Sequence, residues 1–142
     1  KRKVIGMLTS ITLPILLLSA SYTDIKERII PNTICWLICL CALPDITLYQ
    51  ALGVTLMLPL LVIGALSDGI GGGDIKLIGA MGFALGYPDI LMTLVAGLSV
   101  MLMYHAVLTF IRKRNHEAVC STYPMAPFLG VGYCIMLLLR IV

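Results

Sequence analysis

Acidic side chains are scarce in this chain, and two of them stand where they could do chemistry. Only seven Asp and Glu residues occur among 142, and Asp24 and Asp74 lie in polar segments beside long apolar runs. A carboxylate at membrane depth is expensive to bury, so each is a functional candidate by default. Two carboxylates held close together cannot both ionise readily, so one of them keeps a proton near neutral pH.

Such a pair of carboxyl groups can hydrolyse an amide bond. The ionised member takes a proton from a water molecule, which attacks the carbonyl carbon. The protonated member hydrogen-bonds the carbonyl oxygen and later protonates the leaving amine. This chemistry requires neither a covalent intermediate nor a metal ion, so we expect no cofactor.

A glycine-rich run leads into Asp74. Residues 68–74 read Asp-Gly-Ile-Gly-Gly-Gly-Asp, a composition that disfavours a helix interior and predicts a loop before the next helix. The glycines permit close approach of another backbone. One interpretation is a site that admits a substrate; the other is a flexible loop whose Asp74 caps the following helix. A phosphate-binding loop is disfavoured because G-x-x-x-x-G-K-[ST] is absent.

The remaining polar candidates have simpler interpretations. Asp45 and Asp89 stand beside prolines, where capping a helix explains them, and Glu117 belongs to a polar loop. His105, alone within an apolar run, is typical of a packed or hydrogen-bonded residue. His116 with Glu117 falls short of a metal-ligand set. Five cysteines, an odd number without a C-x-x-C pair, indicate neither a disulfide framework nor a zinc site.

The composition indicates which elements carry these residues. Hydrophobic residues make up 60% of the chain, charged residues 12%, and the mean hydropathy is +1.04. These values exclude an ordinary soluble globule, a disordered chain and a nucleic-acid-binding protein with a basic face. Because a transmembrane helix takes about 20 apolar residues, we expect an all-α polytopic membrane protein with about six transmembrane helices. We expect residues 1–142 to form one membrane-embedded domain, without a soluble domain among them. The predicted helices span 4–22, 30–44, 47–67, 75–87, 89–111 and 125–141, the second and fourth being short.

Helix number predicts that the two aspartates share a membrane face. Six helices place Asp24 and Asp74 on the same side, together with six Lys and Arg residues, against four on the other side. Because basic residues accumulate on the cytoplasmic side, the loops favour a cytoplasmic location for the acids, although the basic triplet at 1–3 argues the other way. Residues 1–21 also imitate a signal peptide. We favour an uncleaved first helix over an exported chain that begins near Tyr22.

Three motifs in order resemble one family. Residues 71–77, Gly-Gly-Gly-Asp-Ile-Lys-Leu, are similar to a G-x-G-D signature followed by a basic residue. Residues 24–32, D-I-K-E-R-I-I-P-N, resemble the segment with that family's first catalytic aspartate, and residues 124–130 resemble the proline-containing start of its last helix. Over essentially its whole length the chain resembles the type IV prepilin peptidases, the G-x-G-D aspartic proteases of the membrane.

The resemblance implies a site, a substrate and a location. It implies that Asp24 and Asp74 are the catalytic pair, near the cytoplasmic face of the cytoplasmic membrane. The substrates it implies are prepilins or pilin-like secretion and competence precursors, which lose a short basic leader ahead of a hydrophobic N-terminal helix. The lipid bilayer is the other expected partner. The active-site loop would comprise Gly71, Gly72, Gly73 and Lys76, with Glu27, Asn32 and Pro127 as candidates for substrate or structural support.

One departure from the family limits the expected activity. Larger members resemble two joined parts, the second a cysteine-rich zinc module with N-methyltransferase activity, and paired C-x-x-C motifs are absent from this sequence. We therefore expect a peptidase without methyltransferase activity. The similarity to archaeal preflagellin peptidases is nearly as good, so the substrate stays open. An alternative of another class is a noncatalytic membrane assembly or transport subunit, in which the glycine run is a hinge.

Overall fold

Every element in the described part of the chain is an α-helix. The computed structural model describes residues 2–43, 47–67, 71–114 and 124–141. Asp45, Asp68, His116, Glu117 and Cys120, weighed above, lie outside these ranges. The helices are α1 (Arg2–Glu27), α2 (Asn32–Ala42), α3 (Leu48–Thr55), α4 (Met57–Ser67), α5 (Gly72–Leu85), α6 (Tyr87–Arg114) and α7 (Ala126–Ile141).

These helices match the six predicted ones. α3 and α4 together fill the predicted helix 47–67, with a break at Leu56, whose N–H donates to the carbonyl oxygen of Gly53 at 3.3 Å. The prediction of an all-α membrane protein is confirmed. Several boundaries were wrong: α1 continues past residue 22, α5 starts before residue 75 and α6 continues past residue 111, whereas α2 is shorter than the predicted 30–44. Charges marked the ends of apolar runs, but a helix continues through charged residues at a membrane surface.

Two segments among the described residues are long and apolar enough to cross a membrane. Leu48–Leu66 and Tyr87–Arg114 have hydropathies of 1.8 and 2.0 in their most apolar windows, only 11% and 6% of which are buried. A core helix of a soluble protein would be mostly buried, so these apolar surfaces are suited to contact with lipid. α2 and α7 are shorter apolar helices.

The packing order places α7 between α1 and α6, and α5 against α2 and α3. The buried core joins α1, α2, α5 and α7, and its largest fully buried side chains include Leu17, Ile38, Met81 and Tyr133. α6 packs mainly against α7 and also contacts α3 and α5, so it connects the α1–α7 pair to the helices around α5.

Glycines let two pairs of helices approach backbone to backbone. A Cβ atom on Gly82 of α5 would collide with the carbonyl oxygen of Gly53 on α3, and one on Gly132 of α7 would collide with that of Thr93 on α6. Small residues at crossings allow such contacts in membrane proteins, where packing rather than hydrophobic burial holds helices together. The α3–α5 crossing matters for function because α5 carries Asp74.

We predict that Gly82→Ala destabilises the protein by about 1–3 kcal/mol, the usual cost of overpacking. The added methyl group must push α3 and α5 apart. Gly130→Ala is the matched control, because its Cβ would meet only the Ser21 hydroxyl oxygen at 3.9 Å. Thermal unfolding in detergent should show a lower midpoint for Gly82→Ala alone. Equal midpoints for the two variants would contradict the close crossing.

Candidate active site

Three helix ends border a cavity of about 480 Å³ at one end of the bundle, namely the C-terminus of α1 and the N-termini of α2 and α5. The N-terminus of α7 reaches one of its residues through a hydrogen bond to Asp24. We call the space the acid cavity because two carboxyl groups line it. The positions that line it are Asp24, Arg28, Ile29, Ile30, Pro31, Asn32, Gly71, Gly72, Gly73, Asp74 and Lys76.

Asp24 lies in the last turn of α1, three residues before that helix ends. The next residue after the helix, Arg28, has a φ of +53° and donates its N–H to the carbonyl oxygen of Asp24 at 3.0 Å. This left-handed ending is usually glycine's, because a Cβ atom crowds the backbone there. The chain then turns through buried Ile30 to Pro31, whose extended ψ of 134° leads into α2.

The carboxylate of Asp24 is buried but not unpartnered. Its Oδ2 accepts the backbone N–H of Ala126, the first residue of α7, at 2.9 Å. The first N–H groups of a helix have no partner within the helix, and the helix N-terminus attracts negative charge. The hydrogen bond therefore satisfies both groups and fixes the orientation of the carboxylate. Sequence reasoning missed Ala126 because a backbone donor leaves no signal in the residue type.

The glycine run is partly helical, which corrects the predicted loop. Gly72 and Gly73 are the first two residues of α5, Gly71 is its N-cap, and Asp74 is its third residue rather than its cap. Glycine destabilises a helix mainly in the helix interior, so two glycines in the first turn cost less than they would further along α5. An acidic residue in that turn also suits the helix dipole. Gly69 and Ile70 lie outside the described residues.

The three described glycines of this run differ in what surrounds them. A Cβ on Gly73 would lie 3.3 Å from the Cβ of Ile30, so its absence lets the first turn of α5 approach the segment that follows Asp24. A Cβ on Gly71 would lie 3.1 Å from Oδ2 of Asp74, whereas one on Gly72 would meet nothing within 4 Å. Gly73 thus brings the acids together, and Gly72 leaves the cavity open.

The electrostatics of Asp74 follow from this placement. Asp74 is half-buried and lies outside the two segments long enough to cross a membrane. Burial, and then the nearby charge of Asp24, raise the pKa of Asp74 to about 6. The carboxyl group therefore exchanges its proton close to neutral pH.

The other predicted site residues divide into two groups. Lys76 and Asn32 line the cavity, and Nζ of Lys76 donates to Oδ1 of Asn32 at 3.2 Å, joining α5 to α2. Glu27, at the exposed end of α1, and Pro127, the second residue of α7, are not among the described residues that line it. Arg28 does line it and was missed as a site residue, although its charge beside Asp24 was a signal in the sequence.

Comparison with known protein families identifies the family of this chain. The model of the type IV leader peptidase family matches residues 11–107, more than half of the sequence, including both aspartates and the turn at Gly71–Asp74. The chain belongs to the type IV leader peptidase family. The resemblance found in the sequence is confirmed at this level. Searches of the curated proteins and of the solved structures find no match.

Members of the type IV leader peptidase family are peptidases, so the acid cavity is part of a peptidase. The matched region ends before α7, so the donor from Ala126 to Asp24 is contributed by a helix outside it. Within the described ranges, no group of three or more His, Cys, Asp and Glu side chains is placed to hold a metal ion.

We predict that Asp74→Asn stabilises this peptidase at pH 8 but not near pH 4. The folded-state pKa of about 6 exceeds the ordinary aspartate value of 3.8, so the folded state holds the proton more tightly. Below the lower value both states are protonated and no penalty exists. As pH rises from the lower value through the higher one, the wild type loses stability, and above about 6 the full penalty of the buried charge remains. Asparagine has no such penalty.

Thermal unfolding of both proteins at the two pH values measures this effect. In the Asp24→Asn background the gain from Asp74→Asn should be smaller, because one of the two causes of the raised pKa is gone. A gain of equal size at both pH values would argue against a raised pKa at Asp74.

Proposed function

We propose that the protein is an aspartic endopeptidase of the membrane, which uses Asp24 and Asp74 to activate a water molecule. Its substrates are prepilins or pilin-like precursors, from which it removes a short basic leader. The observation that carries the proposal is that both carboxyl groups line one open cavity in a chain of the type IV leader peptidase family.

The surroundings of the two acids support different roles. Asp24 Oδ2 accepts the Ala126 N–H at the start of α7, an arrangement that stabilises a carboxylate anion. Asp74 has a raised pKa and is the better holder of the shared proton. We therefore assign Asp24 as the general base, acting through its other oxygen Oδ1, and Asp74 as the general acid.

The reaction then proceeds without a covalent intermediate. Oδ1 of Asp24 takes a proton from a water molecule while the water oxygen attacks the scissile carbonyl carbon. Asp74 donates a hydrogen bond to the carbonyl oxygen and gives its proton to the leaving amine nitrogen as the carbon–nitrogen bond breaks. The proton held by Asp24 passes to Asp74, which restores the starting pair. No metal ion or cofactor takes part in these steps.

Charge at the open end of the bundle supports a cytoplasmic location for the site. Lys26 lies in the last turn of α1, Lys76 lies in the second turn of α5, and Arg112–Arg114 end α6 at the side from which α7 begins. Basic residues near membrane surfaces favour the cytoplasmic side. We accordingly place the protein in the cytoplasmic membrane with several spans. Prepilin and preflagellin leaders are distinguished by assaying purified protein against a panel of both.

We predict that Asp24→Asn and Asp74→Asn each lower the rate of leader cleavage by about 10²–10⁴-fold, the usual contribution of a general acid or base. Asp89→Asn is the matched control, because Asp89 forms an ion pair with Arg140 at 3.1 Å and lies outside the residues that line the acid cavity. The measurement is the gel shift of a prepilin-like substrate in detergent. Full cleavage by either single variant would overturn the pair, whereas a wild type that cleaves no such substrate would favour a noncatalytic assembly or transport subunit.

We also predict a separation between two pH profiles of the wild type. The profile of kcat/KM reports the free enzyme, so it should fall as pH rises through about 6, where Asp74 loses its proton. The alkaline limb of kcat should lie at higher pH, because a bound peptide displaces water and raises the pKa of Asp74 further. Steady-state cleavage across pH measures both. Coincident alkaline limbs would count against Asp74 as the acid.

A further inference from the structure

A second cavity adjoins the acid cavity and differs from it in chemistry. It has a volume of about 590 Å³ and shares only Asn32 and Lys76 with the acid cavity, and we call it the apolar groove. Its other lining residues are nonpolar or sulfur-containing: Cys35, Trp36, Cys39, Leu40, Leu43, Val54, Met57, Gly79, Ala80 and Phe83. The volume is in the range of sites that bury most of a small ligand.

The apolar groove runs along α5, away from the two acids. Its floor residues on α5, namely Lys76, Gly79, Ala80 and Phe83, follow the spacing of one helix face. From Lys76 to Phe83 the floor extends about 10 Å at 1.5 Å per residue. α2 forms one wall with the same spacing, and Val54 and Met57 at the α3–α4 break form the other. The groove therefore starts beside Asp74 and descends along the helix that carries it.

The floor of the apolar groove packs closely against one wall, and the groove is open at its side. A Cβ atom on Gly79 would lie 2.6 Å from Sδ of Met57, so the missing side chain lets the wall and the floor meet closely. Trp36 and Leu40 at the rim are 74% and 63% exposed. An apolar groove with an exposed apolar rim admits an occupant from the lipid side.

We propose that the apolar groove binds the apolar segment of the substrate that adjoins the scissile bond. This inference rests on the proposed function, because it requires a peptide between Asp24 and Asp74. A peptide chain that leaves Asp74 along α5 must pass the Lys76–Asn32 hydrogen bond and enter the groove. Side chains there lose water, so polar groups would be left unpaired while aliphatic and aromatic ones gain by burial.

A lipid acyl chain is the competing occupant. Continuity with the acid cavity through a shared wall favours the substrate, because a peptide held at the acids is delivered into the groove without a second binding event. The groove then selects substrates by the apolar residues on one side of the cleaved bond.

The test compares two cysteines of α2. Cys39 lines the groove, whereas Cys41, on the same helix, is not among its lining residues. Cys39→Trp fills the groove and Cys41→Trp is the matched control. Each is assayed with a long peptide, which carries the apolar segment, and a short peptide that ends soon after the scissile bond. Cys39→Trp should lower the ratio of kcat/KM for the long peptide over the short one about tenfold, as expected from excluding one aliphatic side chain.

A cross-linking experiment avoids the risk that tryptophan disturbs folding. The long peptide carries one cysteine in its apolar segment, and Asp74→Asn keeps it uncleaved. Oxidation should link it to a protein that retains only Cys39 and not to one that retains only Cys41. Equal ratios for the two tryptophan variants, or cross-linking at Cys41 alone, would assign the groove to lipid. A wild type that cleaves neither peptide overturns the proposed function instead, and this inference with it.

Discussion

The hydrogen bond between the Asp24 carboxylate and the Ala126 N–H is the constraint around which the open end of the bundle is arranged. It joins residues 102 positions apart and ties the end of α1 to the start of α7. Without a donor, a buried carboxylate would be protonated or drawn to water. With it, the buried Asp24 side chain has a donor for Oδ2, and α7 gains the partner that its first turn lacks. One contact thus supports the packing of α1 on α7 and the charge of the cavity.

The charge of Asp24 acts on its neighbour through the glycines of α5. Because Gly73 lacks a side chain, the first turn of α5 approaches Ile30 and brings Asp74 near Asp24. Asp74 is half-buried, and burial and the charge of Asp24 raise its pKa. The two acids therefore have different surroundings, because Asp24 accepts an N–H from the start of α7 whereas Asp74 is half-buried beside the charge of Asp24. This asymmetry is what a shared-proton pair requires.

The sequence predicted the helices and the placement of Asp24 and Asp74 at one end of the bundle. Both predictions depend on properties that single residues carry. Uncharged runs mark apolar helices, and helix number places Asp24 and Asp74 at the same end of the bundle. It predicted less about what surrounds the acids. Gly72 and Gly73 favour a loop by propensity but begin α5, where glycine costs less than in a helix interior. Ala126 acts through its backbone, and Arg28 through a left-handed conformation that its residue type disfavours.

Lys76 lies where the acid cavity and the apolar groove meet, and its long apolar stem with a charged end suits that position. Its stem can cover apolar surface in the groove, while its ammonium group donates to Asn32 at the polar side. Long cationic side chains take this arrangement at membrane surfaces, where one end needs lipid and the other needs water. Lys76 therefore marks the level at which the protein changes from a polar cavity to an apolar groove. On the proposed function, the scissile bond lies at that level, because the acids are on its polar side and the groove begins on the other.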